Sequence, residues 1–459
     1  MDSEKKLSKN NGSASFLVME AGLCALIVVA PLPFGSVGPA GRLTFEILAL
    51  GLTALWALTA LREEVALPPR SAQIALLGLL AIAALQLVPL PGKAIALVSP
   101  RTAALRLGLD PAAERTLSLA GAATASALRT GAALVGVLFV ATSVVAARGA
   151  GRLALAALLA AAFEGLYGIL VLASGHDRIW NVPKTFHVDS ATGTFVNRNH
   201  FAAFLAATLP LGLGYVVAVA RRARAGRRRP GVLSTALGPE GSRALLLGLL
   251  TLMGIAGLFL SFSRAGTLLG LVAVTGTAGL SLRVRPVYRW MAIAVIVAIA
   301  AIPLLELGAE GLALRYRITG DDLMGPGGRM DVARDTLRMI AAFPVAGVGF
   351  GAFVWAYPVH SSPQVLLHFT HAHNDVLQLG AEGGLPALAL LAVALAALLP
   401  RMSRFLRDAG DPVAIGAAFG LSALLVHALV DFNFHIPANA AMASILAGIL
   451  FGASWTGRS

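Results

Sequence analysis

The sequence predicts an all-α polytopic membrane protein with about twelve transmembrane helices and a large helical extracytoplasmic loop between the ninth and tenth. Two observations carry this. Of 459 residues, 57% are hydrophobic and only 13% charged, with a mean hydropathy of +0.79. A soluble domain carries roughly twice that share of charge, so the polar surface needed to coat a globule in water is missing. Long Leu/Ala/Val runs broken by short polar patches supply the second observation. Together they exclude a soluble enzyme, a disordered tail and a secreted module built on disulfides. The single cysteine, Cys24, has no partner in the chain, so neither a disulfide nor a cysteine-rich metal site is available.

Apolar runs of roughly 18–22 residues place the spans at Ser15–Pro33, Leu43–Leu61, Ala72–Leu90, Thr130–Ala147, Leu153–Ala173 and Phe201–Ala220. They continue at Ala244–Leu260, Gly266–Leu282, Trp290–Leu307, Val376–Leu399, Pro412–Val430 and Ala438–Trp455. The chain reads as a single integral membrane domain over 1–459. Lys5, Lys6 and Lys9 before the first span resemble the start of a signal peptide, but no small-x-small cleavage site follows, so the span reads as retained. Orientation comes from the arginines. With the N-terminus inside, alternate loops hold Arg62 and Arg70, Arg148 and Arg152, and the run RRARAGRRRP from Arg221 to Pro230. Arg283, Arg285 and Arg289 follow, then Arg401, Arg404, Arg407 and finally Arg458. Positive loops stay in the cytoplasm, which puts both termini there. The formal net charge of +13 is therefore a topology signal, and no nucleic-acid partner is implied.

The other face receives the long segments, roughly Pro91–Arg129, Ser174–His200 and the large loop Gly308–His373. The rare polar motifs map there as well. TFVNRNHFAAFL (Thr194–Leu205) opens the sixth span, and FSRAG (Phe262–Gly266) joins the seventh to the eighth. GGRMDVARDTLR (Gly327–Arg338), FPVAGVGFGAF (Phe343–Phe353) and HAHNDVLQLGAEGGLP (His371–Pro386) lead into the tenth, and VHALVDFNFHIPAN (Val426–Asn439) joins the last two. Random scatter would divide them between two faces; one shared extracytoplasmic site explains them together.

Within these motifs, Asn197, Asn199 and His200 read either as a helix cap or as site residues. Arg198 and Arg264 sit at span mouths, where an arginine snorkels to the interface or finds an anion. Arg329 opens the GGRMD segment and faces a site. Arg334 and Arg338, spaced three residues from Asp331 and Asp335, read as a solvated helix face. GVGFG follows no predicted strand, so its glycines make turns rather than a dinucleotide loop. His371, His373 and Asp375 lack the HxxxH or HExxH spacing of a zinc helix, and no metal site is assigned. His373, with Asn374 beside it and Glu382 further on, is the candidate for chemistry. Glu20, Glu46 and Glu164 lie inside spans and need partners that the sequence does not name.

Taken in order, NRNHFAAFLAATLP, FSRAG, GR before a helix with FPVAGVGFGAF, HNDVLQLGAEGGLP and HALVDFNFHIPAN resemble the O-antigen ligase/polymerase family over about residues 194–439. Over the first half only hydropathy is similar. Ala387 departs from the pattern, where such proteins often carry glycine. The resemblance implies a GT-C-like glycosyltransferase of the bacterial inner membrane, acting on its outer, periplasmic face without cofactor or metal. Its donor would be an undecaprenyl-diphosphate-linked glycan, and its acceptor lipid A–core in a ligase or a second lipid-linked glycan in a polymerase. A protein O-oligosaccharyltransferase is the related alternative. The expected roles are diphosphate binding by Arg198, Arg264 and Arg329 and proton abstraction by His373, oriented by Asn374 or Asp375. Asn197, Asn199, His200, His371, Glu382, Asp431 and His435 would support them. A polysaccharide transporter or flippase would instead line a path with polar groups at mid-membrane depth or on both faces. An inactive subunit of a glycan-export complex would have lost the arginine–histidine set, which is present.

Overall fold

Backbone inside a membrane has no water to bond, so an apolar run satisfies its amides internally, as a helix. The computed structural model describes residues 14–107, 115–225, 239–282, 327–365 and 368–456. In it the helices are α1 (Ala14–Val29), α2 (Pro39–Ala60), α3 (Arg70–Leu85), α4 (Gly92–Val98), α5 (Pro100–Leu107), α6 (Gly121–Arg148) and α7 (Gly151–Ser174). After a hairpin of two-residue strands, β1 (Arg178–Ile179) and β2 (Val182–Pro183), come α8 (Arg198–Ala225), α9 (Pro239–Leu260) and α10 (Arg264–Ser281). The last are α11 (Arg329–Ala342), the short α12 (Phe353–Ala356), α13 (Asp375–Asp408), α14 (Pro412–His427) and α15 (Pro437–Thr456). Every predicted span except the ninth falls on one of these helices. The ninth, Trp290–Leu307, lies outside the described residues, as do Lys5, Lys6, Lys9, Arg283, Arg285, Arg289, Arg458, the second half of the 221–230 run and the first part of the large loop, 308–326.

By length and composition, six described helices can cross a membrane: α2, α6, α7, α8, α13 and α15. The shorter apolar helices α1, α3, α14 and the Leu245–Leu260 part of α9 accompany them, giving a multi-pass architecture. At its centre α8 packs against α14, α10, α7 and α9, while α15 packs along α6. Small residues make this possible. Gly416 and Gly420, one turn apart on α14, face the backbone carbonyls of Pro210 and Ala207 on α8 so closely that a Cβ at either would collide. Without a hydrophobic drive between helices in lipid, such close backbone contact is a main source of cohesion.

The antiparallel helices sort the charges to two ends. At one end, buried Glu20 on α1 is held by Arg148 Nε at 2.7 Å and Arg152 Nη1 at 2.6 Å, from the α6–α7 junction. Arg221 donates there to the carbonyls of Gly410 and Ser281, closing the ends of α8, α10 and α13 together. The opposite end carries the N-termini of α8, α10, α13 and α15 and the C-terminus of α14, and so gathers the polar motifs. Towards that end Glu46 accepts from Thr130 Oγ1 at 2.6 Å and pairs with Arg129 Nε at 3.3 Å.

The segment over that end is tied down rather than draped. Asp331 and Asp335 of α11 are buried and do more than pair with Arg334 and Arg338, so the solvated face belongs to the arginines alone. Asp335 also accepts from Ser362 N at 2.8 Å and Tyr357 OH at 3.3 Å. The Phe343–Phe353 stretch is sewn across α13 where that helix breaks at Gly384, whose φ of +69° suits glycine. Val348 N and Gly349 N donate to the Ala381 and Glu382 carbonyls that the break leaves open, and Leu385 N donates to Pro344 O. Gln86, at the end of α3, clamps the same junction with Nε2 on the Ala346 and Glu382 carbonyls, each at 2.8 Å.

Candidate active site

Asp431, on the turn between α14 and α15, is the hub. It is 1% exposed. Its Oδ2 accepts from Asn199 Nδ2 at 3.0 Å and its Oδ1 from Phe432 N at 2.9 Å. Two imidazoles face the same Oδ1, His373 Nδ1 at 3.5 Å and His200 Nε2 at 3.6 Å. The helix ends explain the convergence. Asn197 accepts from Asn199 N at 2.8 Å, turning the chain into α8 and aiming Asn199 and His200 at Asp431. Asn374 caps α13 by accepting from Leu377 N at 2.9 Å, and its Nδ2 reaches Leu429 O at 2.8 Å on the facing turn. His373, immediately before that cap, adopts φ +51°, an uncommon conformation for a side-chain-bearing residue, and is thereby turned toward Asp431.

Asp375 has a different partner from the one expected. Its carboxylate accepts from His435 Nδ1 at 2.8 Å and Phe434 N at 3.0 Å, and its own amide donates to Ala428 O at 2.8 Å. The carboxylate beside His373 is Asp431. Phe432 separates the two acid–histidine pairs: the His371 ring stacks on it at 4.1 Å, and His200 and His373 meet it edge-on at 4.5 and 5.0 Å.

Burial and neighbouring charge divide the histidines. Burial pushes the His371 imidazole far below the ordinary histidine range, and the nearby His435 and His373 push it the same way. For His435, burial acts downward but the Asp375 carboxylate outweighs it, so the net shift is upward. Burial alone would raise the Asp431 carboxyl; the His200 and His373 rings outweigh it and hold the group well below the usual carboxylate range. His187, on the approach to α8, falls to about 4 because it is buried and close to the Arg198 guanidinium.

The structure thus brings Asn199, His200, His371, His373, Asp375, Asp431 and His435 into one set of contacts, with Asn197 and Asn374 as caps. Glu382 joins at one remove: Gln378 Nε2 donates to its Oε1 at 3.0 Å, and Gln378 Oε1 accepts from Ala372 N at 3.0 Å, between the two histidines. Arg329 Nη1 reaches Val430 O at 3.3 Å, one residue from Asp431. Arg198 is the first residue of α8, one position before Asn199. Arg264 shares none of these contacts; it is exposed as the first residue of α10, after the Ser263 cap. His371, His373 and Asp375 turn to three different partners, and among the described residues no group of three or more His, Cys, Asp or Glu is arranged to hold a metal.

Several participants escape the sequence reading. His427, at the end of α14, is buried, and its Nδ1 has no hydrogen-bond partner among the described residues. The same holds for His200 Nε2, His373 Nδ1, Asn433 Nδ2 and Asn439 Oδ1. Buried polar atoms are nearly always paired, so each of these calls for a partner that the described residues do not supply. The only signal in the sequence was polarity at the ends of apolar runs, which gives no partner.

Residues 249–392, just under a third of the chain, match the family model of the O-antigen ligase. No curated protein matches the chain. The matched stretch contains Arg264, Arg329, His373 and Glu382, and the Asp431 hub lies beyond its end. The chain is thus mostly helical, with six described helices able to cross a membrane, as in a multi-pass membrane protein, and its residues 249–392 are similar to the O-antigen ligase family.

Proposed function

We propose that this protein is a GT-C-like glycosyltransferase of the bacterial inner membrane that moves a glycan from an undecaprenyl-diphosphate carrier to an acceptor hydroxyl on the periplasmic face. The acceptor is lipid A–core, as in a ligase, or a second lipid-linked glycan, as in a polymerase. The observation that carries the reading is His373 beside the buried Asp431 carboxylate, at the end of the bundle where Arg198 and Arg329 also start their helices.

The anomeric carbon already bears a good leaving group. As the acceptor oxygen bonds to that carbon, the bond to the diphosphate breaks and its electron pair leaves with the phosphate oxygen. Guanidinium groups stay charged and bind two oxygens at once, so Arg198, Arg264 and Arg329 can take up that growing charge without a metal. The acceptor proton needs a base. With Nδ1 turned to Asp431, His373 offers Nε2 to the acceptor, and Asp431 stabilises the imidazolium that forms. His371, pushed far down and packed flat on Phe432, is the poorer base.

His373→Ala is therefore expected to lower transfer by about 10²–10⁴ while donor binding persists, and His371→Ala to be milder. Transfer by purified variants from a lipid-linked donor, with donor binding measured separately, provides the check. Near-normal transfer by His373→Ala removes the base; loss of donor binding in step with rate moves His373 to the phosphates.

A further inference from the structure

Of the span glutamates Glu20, Glu46 and Glu164, the first two each meet an arginine. Glu164, 1% exposed on α7, meets no cation among the described residues. Its partner is one residue. Glu164 Oε2 accepts from Thr194 N at 2.8 Å, and Oε1 lies 2.7 Å from Thr194 Oγ1. Thr194 is only four positions before Arg198, in the turn that delivers Arg198, Asn199 and His200.

That turn is fitted to the carboxyl. Gly193 has φ +53°, and a Cβ there would collide with Glu164 Oε2 and with the Phe201 ring. Gly168, one turn along α7 from Glu164, lets the Gly193 backbone approach. Ala191 N donates to Leu260 O at 2.8 Å, fixing the start of the turn on the end of α9.

The hydrogens at Thr194 determine the chemistry. Thr194 Oγ1 is also 2.9 Å from Pro31 O, at the end of α1. A hydroxyl has one hydrogen to donate. It faces two acceptors here: Pro31 O, which also accepts from Gly35 N at 2.7 Å, and Glu164 Oε1. A hydrogen on Glu164 Oε1 would give each of the two contacts its own donor. An ionised carboxylate would leave two acceptors facing one hydrogen, deep in the bundle and without a counter-cation, where such a loss is costly.

We propose that Glu164 is a positioning residue that works as an un-ionised carboxylic acid. It donates to Thr194 Oγ1, accepts from Thr194 N, and so holds the Thr194–His200 turn that presents Arg198 to the donor and His200 and Asn199 to Asp431. The positioning role rests on the glycosyl-transfer reading above; the acid form does not.

The test uses the full-length protein in lipid nanodiscs. The infrared difference spectrum of wild type minus Glu164→Gln is expected to contain the carbonyl stretch of an un-ionised carboxylic acid, shifted by D2O. If the difference contains only carboxylate bands, the acid form is wrong. Glu164→Gln keeps both a donor and an acceptor, so it should retain turnover and slow hydrogen exchange at the Thr194–His200 amides. Glu164→Ala should lose turnover roughly ten- to a hundredfold, the scale of a misplaced catalytic group, with faster exchange in the same amides. Where that variant does not fold, Thr194→Val breaks the same chain and carries the test. A purely structural Glu164 would lower the melting temperature while turnover per folded molecule stayed at the wild-type value, and that result would overturn the positioning role. If wild type itself transfers nothing, the functional reading fails while the infrared and exchange arms still report on Glu164.

Discussion

Arginine and histidine carry the proposed chemistry because one never loses its charge and the other exchanges a proton near neutral pH. Arg264 is the sharpest case. It is exposed, at the N-terminus of α10, and makes none of the contacts that hold the Asp431 cluster together. Its proposed value lies in a ligand. Arg264→Lys keeps the charge but loses the planar fork, and one charge-assisted hydrogen bond is worth roughly 1.5–3 kcal/mol, so turnover should fall about ten- to a hundredfold. Steady-state transfer rates with a lipid-linked donor measure this. Full activity of both the Lys and the Ala variant would make Arg264 an interfacial anchor. The residues themselves were legible: His373, His200 and Asp431 all stood out as polar groups at span mouths. Their pairing was not. Asp375 is two positions from His373 and looked like its orienting acid, yet the 428–436 turn folds back so that Asp375 meets His435 and Asp431 meets His373. Sequence neighbours at a strained turn point apart, and nothing in the spacing shows which distant acid replaces them.

The N-terminal half of α13 is the element that positions His373, and two ties hold it. One is the Gly384 break, stitched by the Phe343–Phe353 loop. The other is the ion pair of Asp375 with His435 on the facing turn. Because the Asp375 carboxylate raises the His435 pKa in the folded state, protonated His435 favours folding. That contribution is complete below the ordinary histidine pKa and disappears as pH rises through the raised one. His435→Gln should therefore melt well below wild type at about pH 6, and the gap should narrow by about pH 9. Thermal unfolding of both proteins across that range decides it; a gap independent of pH would mean that His435 acts through packing alone. Elements were the most legible level, since an apolar run of adequate length in a chain this poor in charge has few alternatives to a helix. Their ends were less so. α13 runs on to Asp408 and α6 begins at Gly121, well outside the apolar runs, because polar residues extend a helix once its apolar part is docked.

Across the whole molecule, the polar motifs collect at one end of the bundle and Glu20, Arg148, Arg152 and Arg221 at the other. The arrangement agrees with the alternation read from the arginine-rich loops and gives an expected topology. A cysteine placed at exposed Arg222 should react with impermeant thiol reagents only from the cytoplasm, and one at exposed Phe186 only from the periplasm, in a background lacking Cys24. Reversal would place the site away from lipid-linked donors exported to the outer face. The sorting of charge between the two ends was legible because charge bias is a property of whole loops. The glutamate ties were not, because Glu20 meets arginines 128 and 132 positions away and Glu164 meets Thr194, 30 positions on. The central claim is that this bundle breaks a sugar–diphosphate bond rather than moving a glycan intact. Purified protein in nanodiscs, given an undecaprenyl-diphosphate-linked glycan and a lipid A–core or lipid-linked acceptor in excess chelator, tests it most directly. The account predicts glycan on the acceptor and free undecaprenyl diphosphate in equal amounts, with both products falling about 10²–10⁴-fold in His373→Ala. Donor left intact by wild type, while the same protein in vesicles carries it across the bilayer, would contradict it.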